Sequence, residues 1–326
     1  MVTRRASALR PHAGNNARSH EHDNGAALRA PAEHQTGIVP GDVIEILRGL
    51  NPTQTFDVII ADPPYNIGKD FGAGHDSLPP DDYVAWTQEW VSECRRRLAP
   101  GGLLYVYGFP EILARVAATY PLEQQRWLQW HYTNKTVASS RFWQRSHESI
   151  LCLWREDEPR PALQVDQIRE PYTRSFLRGA AGKSRRETPS RYARVGRPTV
   201  YDAHPLGALP RDVIRVPALA GGAGANERWF MCRDCDDAVL PPARLAEHRA
   251  HNTLKHPTQK PQDLTRRLIR SRVNGAGGSV LIPFAGSGSE CVVAQSLGLT
   301  FLGIEINPQY VRFANGWLRQ ASGGDV

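Results

Sequence analysis

The stretch FDVIIADPPY, residues 56–65, decides the fold. Its first six residues form a short apolar run rich in β-branched side chains, which is typical of a parallel strand buried on both faces. The run stops at Asp62-Pro63-Pro64-Tyr65, where the two prolines fix φ and remove two backbone donors. The sequence therefore predicts a buried strand that ends in a rigid loop.

Strand and helix patterns alternate on both sides of this stretch. In the first half the patterns are a helix at 83–98 and strands at 103–107, 127–132 and 149–154. Near the C terminus they are a helix face at 264–269, a strand at 279–282, a helix at 289–297 and a strand at 300–304. Such alternation predicts an α/β fold with a doubly wound, mostly parallel sheet.

Composition limits the class of protein. With 326 residues, of which 40% are hydrophobic, the chain can form a substantial core. No run approaches the roughly 18 apolar residues of a membrane helix, and no signal-peptide pattern is present, so we expect a cytoplasmic protein. The five cysteines are scattered, which favours reduced thiols. A net charge of +7 favours an anionic partner such as nucleic acid.

The loop Asp62-Pro63-Pro64-Tyr65 offers a rigid array of hydrogen-bond acceptors. Acceptors that hold the hydrogens of an exocyclic amine of adenine or cytosine would leave the amine lone pair free to attack an electrophile. Tyr65 would stack on a base extruded from the duplex. A proline-rich turn with an exposed aspartate is the structural alternative.

A glycine-containing loop, Phe284-Ala285-Gly286-Ser287-Gly288, lies between a predicted strand and a predicted helix. Glycines at such a turn allow a ligand to approach the backbone closely. Glu305 follows at the end of the next strand, where a carboxylate can accept the hydroxyls of a ribose. Because the loop lacks the Lys-Ser/Thr ending of a phosphate-binding loop, it favours a nucleoside cofactor.

Together these motifs resemble the bacterial and phage DNA amino-methyltransferases in their permuted order, with the catalytic motif before the cofactor motif. Asp62-Pro63-Pro64-Tyr65 matches the catalytic motif, and Asn66-Ile67-Gly68 is typical of adenine-specific members. HPTQKP at 256–261 matches the block before the cofactor loop, and HESIL at 147–151 matches a further block. The resemblance covers roughly residues 41–155 and 226–314.

The resemblance implies a Rossmann-like S-adenosylmethionine-dependent methyltransferase fold with an inserted DNA-recognition region. It implies methyl transfer to the N6 amine of a flipped adenine in double-stranded DNA, by Asp62, Pro63, Pro64 and Tyr65 and without a covalent intermediate. N4 of cytosine is the alternative, and Asp62 favours adenine. Cofactor contacts are assigned to Asp42, Asp62, His256, Thr258, Gln259, Lys260, Phe284, Gly286, Ser287, Gly288, Glu305 and Asn307.

One departure from the family pattern concerns the cofactor loop. The family has an acid immediately before the proline of this loop, whereas Ile282 precedes Pro283 here. We hypothesise that Glu290, just inside the following helix, supplies the missing charge to the methionine ammonium. A catalytically inactive, zinc-stapled DNA-binding protein is a rival interpretation that Ile282 motivates, and methylation of RNA or protein is a third.

Cys232 and Cys235 on a turn, with His248 and His251 at i, i+3 on one face of a predicted helix, could form a tetrahedral zinc site. The histidine spacing is shorter than usual, and His256 is an alternative fourth ligand. The other interpretation is two reduced cysteines and two solvated histidines. With four protein ligands such a zinc ion would be structural rather than catalytic.

A basic segment lies between the two halves of the predicted catalytic domain. Residues 160–200 contain ten Arg and Lys against three acidic residues, interleaved with aromatic side chains, and we expect them to contact DNA. A solvated charge run is the alternative. The predicted DNA contacts are Arg174, Arg178, Lys183, Arg185, Arg186, Arg191, Arg194 and Arg197.

These observations predict a domain organisation in four parts. Residues 1–36 form a disordered tail, 37–159 the catalytic half, 160–255 a recognition insertion with the possible zinc loop, and 256–326 the cofactor-binding half. The expected partner is double-stranded DNA, with a possible cognate restriction endonuclease and no membrane. A monomer or a homodimer is expected.

Overall fold

The computed structural model describes residues 36–71, 76–134, 140–155, 160–185, 199–200, 202–220 and 226–322. The predicted tail at 1–36 lies outside them except for its last residue, as do Arg186, Arg191, Arg194 and Arg197. Within the described residues, no helix has the length and apolar character needed to cross a membrane.

An eight-stranded sheet forms the centre of the molecule, in the order β1-β13-β12-β2-β3-β5-β4-β8. Its first five strands are all parallel, β5 is antiparallel to β3 and β4, and β8 runs parallel to β4. Its strands are β1 (Gly37–Pro40), β2 (Phe56–Ala61), β3 (Leu98–Gly108), β4 (Gln125–His131), β5 (His147–Leu153), β8 (Val213–Arg215), β12 (Ser279–Ile282) and β13 (Thr300–Glu305). The predicted α/β fold with a mostly parallel sheet is confirmed.

Helices cover both faces of this sheet. They are α1 (Val43–Gly49), α2 (Pro80–Arg96) and α3 (Pro110–Ala117) on one face, and α5 (Gln262–Arg270), α6 (Ser289–Ser296) and α7 (Pro308–Ser322) on the other. A further helix, α4 (Arg174–Gly179), has no buried residue. Side chains of β2 alternate between two buried clusters, because successive strand residues point to opposite faces. Val58 joins the cluster that contains α5, α6 and α7 residues, and Ile59 joins the cluster that contains α1, α2 and α3 residues.

The helix boundaries follow from local chemistry. Asp42 caps α1, because its Oδ1 accepts hydrogen bonds from the backbone N–H groups of Ile44 and Glu45 at 2.8 and 3.1 Å. A proline stands at the start of α2, where a missing N–H costs nothing. Gly288, at φ 81°, precedes α6 and takes a backbone conformation that L side chains rarely adopt.

Two small sheets lie outside the main one. Strands β9 (Phe230–Cys232), β10 (Ala238–Leu240) and β11 (Thr253–Leu254) form an antiparallel sheet in the order β10-β9-β11. This sheet packs on α7. Val239 of β10 contacts Gly316 of α7 so closely that a Cβ at Gly316 would lie 2.3 Å from the Val239 side chain. The strands β6 (Ser184–Arg185) and β7 (Thr199–Val200) pair with each other. The four-part division of the chain stays a prediction.

Candidate active site

Four neighbouring parallel strands, β1, β13, β12 and β2, end at the same edge of the sheet. Asp42 follows β1, Glu305 ends β13, the glycine-containing loop follows β12 and Asp62 follows β2. Ligands of open α/β sheets bind at this carboxyl edge. Residues far apart in the sequence therefore come together because their strands are neighbours in the sheet.

A cavity of about 320 Å³, which we call the glycine-loop cavity, opens at this edge. Among the predicted cofactor contacts, those that line it are Asp42, Asp62, His256, Thr258, Gln259, Lys260, Phe284, Gly286, Ser287, Glu290 and Glu305. Gly288 and Asn307 do not line it. Instead, Asn307 accepts from the Gln309 N–H at 2.8 Å in the first turn of α7 and donates to the Phe71 carbonyl at 2.5 Å.

Glu305 ties the glycine-containing loop to the end of β13. One carboxylate oxygen accepts from the Gly286 N–H and the other from the Asn307 N–H, both at 2.8 Å. Burial raises the pKa of this carboxyl group, although the backbone hydrogen bonds oppose the shift. A carboxylate has about four lone-pair sites, so Glu305 keeps acceptor capacity for hydroxyl groups in the cavity.

Ile282 and Glu290 have different environments. Ile282, 1% exposed, packs in the hydrophobic cluster that includes α6 and α7. Glu290 lines the cavity and accepts a hydrogen bond from Ser289 Oγ at 2.7 Å. Burial, reinforced by the charge of Asp62, raises the pKa of Glu290 to about 7. The glycine-loop cavity thus contains a buried carboxyl group, contributed by the helix rather than by the strand end.

Two buried polar atoms at this cavity have no hydrogen-bond partner within the described part of the chain. They are Ser287 Oγ and His256 Nδ1, and both residues line the cavity. Burial and the nearby charge of Lys260 lower the pKa of His256 to about 3, so the imidazole is neutral. Buried polar groups normally have partners, so these atoms fit a polar ligand.

Asp62 and Lys260 form a buried ion pair at the end of β2. Lys260 Nζ donates to both carboxylate oxygens of Asp62 at 2.7 Å, and its side chain is 4% exposed. Burial disfavours the ammonium, but Asp62 and Glu148 outweigh it and raise the pKa of Lys260. Lys260 is therefore charged, and its single positive charge faces the two acidic residues Asp62 and Glu148.

Tyr65 is held between these carboxylates. Its hydroxyl lies 2.9 Å from Asp62 Oδ1 and 2.9 Å from Glu148 Oε2, and Lys260 Nζ lies 3.4 Å from Glu148 Oε2. Burial, followed by the charges of both acids, raises the pKa of Tyr65 well above its usual value. The phenol therefore stays protonated and can donate its single hydrogen to one of the two acids.

A second cavity of about 450 Å³, the Tyr65 cavity, adjoins the first. The two cavities share Asp62, Pro63, Phe71, Thr258, Gln259 and Lys260 in their walls. The rest of the lining of the Tyr65 cavity includes four aromatic side chains, namely Tyr65, Phe109, Trp130 and Tyr132. Two adjoining chambers with a polar common wall could hold two reactants next to each other.

Sequence reasoning missed several residues of this site. Glu148 belongs to the HESIL block at 147–151 but was assigned no role from the sequence. Trp130 and Tyr132 were assigned only to a predicted strand. Glu148 lies on β5, which pairs with β3 rather than with β2. A signal was present, because the charged Glu148 directly precedes the mostly apolar run at 149–153.

The predicted DNA contacts lie away from both cavities where the structure describes their side chains. Arg174 and Arg178 are exposed on α4, and Lys183 is exposed after it. None of the three lines the Tyr65 or the glycine-loop cavity. Arg185 belongs to β6. Their role in DNA contact stays a prediction.

The predicted metal ligands come together. The ligand atoms of Cys232, Cys235, His248 and His251 all lie within 4.8 Å of one another. The histidines were expected on one face of an α-helix, but they lie in turns after a short 3₁₀ helix, Pro242–Ala246. The i→i+3 geometry still brings them to one side, since the His251 N–H donates to the His248 carbonyl at 3.0 Å.

Two solved methyltransferase structures align with most of this chain. The PvuII DNA methyltransferase (cytosine-N4-specific) aligns with a TM-score of 0.55 and 14% identity, over 87% of this chain and 86% of that chain. The M1.HpyAVI–SAM complex aligns with a TM-score of 0.51 and 17% identity, over 88% of this chain and 98% of that chain. The fold is that of S-adenosylmethionine-dependent methyltransferases.

Sequence comparison assigns the family. The N6/N4 methyltransferase family model, described as DNA methylase, matches residues 56–316. The Type II methyltransferase M.HpaI of Haemophilus parainfluenzae is 27% identical over 85% of this chain and 72% of that protein. The DNA adenine methyltransferase YhdJ of Escherichia coli (strain K12) is 28% identical over 84% of this chain and 80% of that protein. The chain therefore belongs to the N6/N4 DNA methylase family, whose cofactor is S-adenosylmethionine, and the predicted family is confirmed.

Proposed function

We propose that this DNA methyltransferase transfers a methyl group from S-adenosylmethionine to the N6 amine of an adenine flipped out of double-stranded DNA. The observation that carries the proposal is the position of Asp62 and Pro63 in the wall common to two adjoining cavities. An amine in the Tyr65 cavity would then face the glycine-loop cavity across a set of hydrogen-bond acceptors.

Residues of the glycine-loop cavity fit the cofactor. Glu305 has free acceptor sites for ribose hydroxyls, and Glu290 offers a carboxyl group for an ammonium. Ser287 Oγ and His256 Nδ1 are buried polar atoms that need partners. When bound, S-adenosylmethionine supplies an electrophilic methyl group.

Asp62 and the Pro63 carbonyl would hold the two hydrogens of the adenine amine. This would leave the nitrogen lone pair directed at the methyl carbon of the bound cofactor, so that a C–N bond would form as the C–S bond breaks. The methylated nitrogen would then release one of its two hydrogens as a proton. Lys260 already binds both oxygens of Asp62, but a carboxylate has lone pairs for further donors. Burial raises the pKa of Asp62, although the charge of Lys260 opposes the shift. Paired with Lys260, the carboxylate acts by orienting the amine and by stabilising the positive charge that develops on it.

Glu148 acts as a positioning residue in this proposal. It holds the Tyr65 hydroxyl and lies beside Lys260, so that the ring of Tyr65 has a fixed orientation at the base cavity. Phe109 packs against Tyr65 edge to face, with ring centroids 5.1 Å apart. The extruded base would stack on this fixed ring.

Two lines of support favour adenine over cytosine. The acceptor at the start of the catalytic motif is a carboxylate, Asp62, and one relative is named a DNA adenine methyltransferase. Two partners are also proposed. Duplex DNA is proposed to contact the basic residues Arg174, Arg178 and Lys183 through its phosphates.

Because several relatives are named type II methyltransferases, a restriction endonuclease of the same specificity is the proposed functional partner.

The test is sequencing of DNA from cells that express the protein, with a method that reports modified bases. N6-methyladenine at one recognition sequence is expected, and it should disappear with Asp62→Asn. N4-methylcytosine would instead assign the alternative base. If no base is modified and S-adenosylmethionine does not raise the Tm of the purified protein, the inactive DNA-binding protein becomes the better interpretation.

A further inference from the structure

The most specific feature outside the active site is a group of two cysteines and two histidines in the small sheet. Cys232 ends β9, and Cys235 ends the following 3₁₀ helix, Arg233–Cys235. His248 and His251 lie in the turns before β11. Cys232 and His248 are buried, Cys235 is half-buried and His251 is exposed.

Four of the six distances between the ligand atoms are close to the edge lengths of a metal tetrahedron, and all six are within 4.8 Å. The Nδ1 atom of His251 lies 3.3 Å from Cys232 Sγ, 3.3 Å from Cys235 Sγ and 3.2 Å from His248 Nδ1. Cys235 Sγ lies 3.6 Å from His248 Nδ1. With Zn–S of about 2.3 Å and Zn–N of about 2.0 Å, the edges of a tetrahedron are roughly 3.3–3.8 Å long.

Hydrogen bonds alone do not explain this arrangement. The Nδ1 of a neutral imidazole has either one hydrogen or one lone pair, and both lie in the ring plane. His251 Nδ1 nevertheless approaches three ligand atoms at 3.2–3.3 Å, and it meets the same type of atom of His248. A cation at the centre of the group satisfies all four atoms at once.

We propose that Cys232, Cys235, His248 and His251 bind one Zn²⁺ ion. Two thiolates and two imidazoles in a tetrahedron are the ligand set and geometry that zinc prefers. All four positions are filled by protein atoms, so the ion has no open site for a substrate and its role is structural. His256, the alternative fourth ligand, lines the glycine-loop cavity instead.

The zinc ion would connect the small sheet to the active site. The ligand Cys232 is the register partner of Thr253 on β11, and Met231 is the partner of Leu254. The chain then passes directly from β11 to the segment 256–260, which includes His256 and ends at Lys260, the partner of Asp62. Zinc therefore fixes the start of the segment that contains two active-site residues, His256 and Lys260.

The other side of the small sheet is anchored to α7. Trp229 stacks on Trp317 with ring centroids 5.5 Å apart, and Arg312 pairs with Asp237 at 3.1 Å. Asp236 and Asp237, at φ 55° and 54°, form the tight turn that follows Cys235. The sheet has only short strands of two or three residues, and such a small unit commonly needs a metal or a disulfide to be stable.

Metal analysis of the full-length protein tests the proposal directly. Protein supplied with Zn²⁺ and freed of unbound metal should contain one zinc per chain by elemental mass spectrometry. Cys235→Ser and His248→Ala should each lose most of this zinc. Cys94→Ala is the matched control, because Cys94 is a buried thiol on α2 outside the cluster, and it should keep one zinc per chain.

Cobalt substitution of the wild-type protein provides a measurement that does not depend on the folding of a variant. Co²⁺ in this site should give the visible absorption of a tetrahedral ion together with thiolate-to-metal charge transfer in the near ultraviolet. An octahedral spectrum without thiolate bands, wild-type protein without zinc, or zinc retained by both cluster variants would overturn the proposal. So would an intact mass lower by two hydrogens, which would indicate a Cys232–Cys235 disulfide. None of these results depends on whether the enzyme methylates adenine or cytosine.

Discussion

Glu290 is a buried carboxylic acid in the first turn of α6, at the wall of the glycine-loop cavity. Its pKa rises from its ordinary value of 4.5 to about 7 on folding, so the folded protein holds a proton that the unfolded chain releases between these values. Stability from this group is therefore present below about pH 4.5 and is lost as the pH rises through 7. Removing the ionisable group should increase the free energy of unfolding of the cofactor-free protein at high pH.

Glu290→Gln should therefore raise the Tm of the cofactor-free protein at pH 8 and raise it much less at pH 5. The gain at pH 8 is at most about 3 kcal/mol, because each pKa unit corresponds to about 1.4 kcal/mol. Thermal unfolding at both pH values measures it. Glu123→Gln, at an exposed carboxyl group in the 3₁₀ helix Leu122–Gln124, should change neither Tm.

The same substitution should weaken cofactor binding if Glu290 pairs with the methionine ammonium. In calorimetric titrations, wild-type affinity for S-adenosylmethionine should rise between pH 6 and 7.5 as Glu290 ionises, and Glu290→Gln should remove this rise. Equal affinity of the two proteins at pH 7.5 would show that the ammonium has another partner.

Glu148 and Tyr65 share one hydrogen bond, which a double-mutant cycle can isolate. Glu148→Gln and Tyr65→Phe should each lower kcat by about tenfold, equivalent to about 1.4 kcal/mol of transition-state stabilisation, while KM for S-adenosylmethionine stays near its wild-type value. Tyr65→Phe also removes the contact of the hydroxyl with Asp62. Because Glu148 acts through the Tyr65 hydroxyl, the double variant should lose little more than Tyr65→Phe alone. Fully multiplicative losses would mean that the two residues act independently.

Individual residues of the catalytic motif could be predicted because their neighbours in the sequence define them. Asp62 and Tyr65 lie three positions apart, directly after a readable strand. Their partners could not be derived from spacing, because Lys260 is 198 positions from Asp62 and Glu148 is 83 positions from Tyr65. Only the pairing of strands in the sheet brings these side chains into contact.

The glycine-containing loop between β12 and α6 illustrates how an element constrains its residues. Gly286 has φ 51°, and a Cβ there would lie 2.7 Å from His256 Nε2. Gly286→Ala should therefore displace either the loop or His256, and the affinity for S-adenosylmethionine should fall at least tenfold in calorimetry. The Gly286 N–H also donates to Glu305, so the ribose-binding acid would be disturbed too.

Gly275→Ala is a suitable control for this variant. Gly275 has φ 86°, so alanine meets a comparable backbone strain, but nothing lies within 4 Å of the added Cβ. The control should lose stability without losing cofactor affinity. If both variants bind S-adenosylmethionine with wild-type affinity, the close approach of residue 286 to His256 does not determine cofactor affinity.

Elements with strong periodicity were predictable, and short ones were not. Strand β12 and the start of α6 agree with the prediction, since an apolar run and a helical pattern mark them clearly. The two- and three-residue strands β9, β10 and β11 contain too few residues to show an alternation, and they went unpredicted. Their cysteines and histidines, rather than any apolar pattern, marked this region in the sequence.

On the scale of the whole molecule, the distribution of charge should determine how the protein meets DNA. Most of the positive excess lies between residues 160 and 200, and the rest of the chain is close to neutral. Arg174 and Arg178 are four positions apart on α4, hence on one face of the helix, and both are exposed. Each phosphate contact releases counterions, so binding should weaken steeply with salt.

Arg174→Ala combined with Arg178→Ala should lower DNA affinity and make the slope of log K against log salt shallower by about 2, since each lost phosphate contact contributes about 0.9. Fluorescence anisotropy with duplex DNA over a range of salt concentrations measures both. A double variant with the same loss of charge, Arg96→Ala with Arg115→Ala on α2 and α3, should change the slope much less, because these arginines pair with acidic side chains. Identical slopes for the two double variants would mean that net charge alone, rather than a contact of α4 with the phosphates, governs binding.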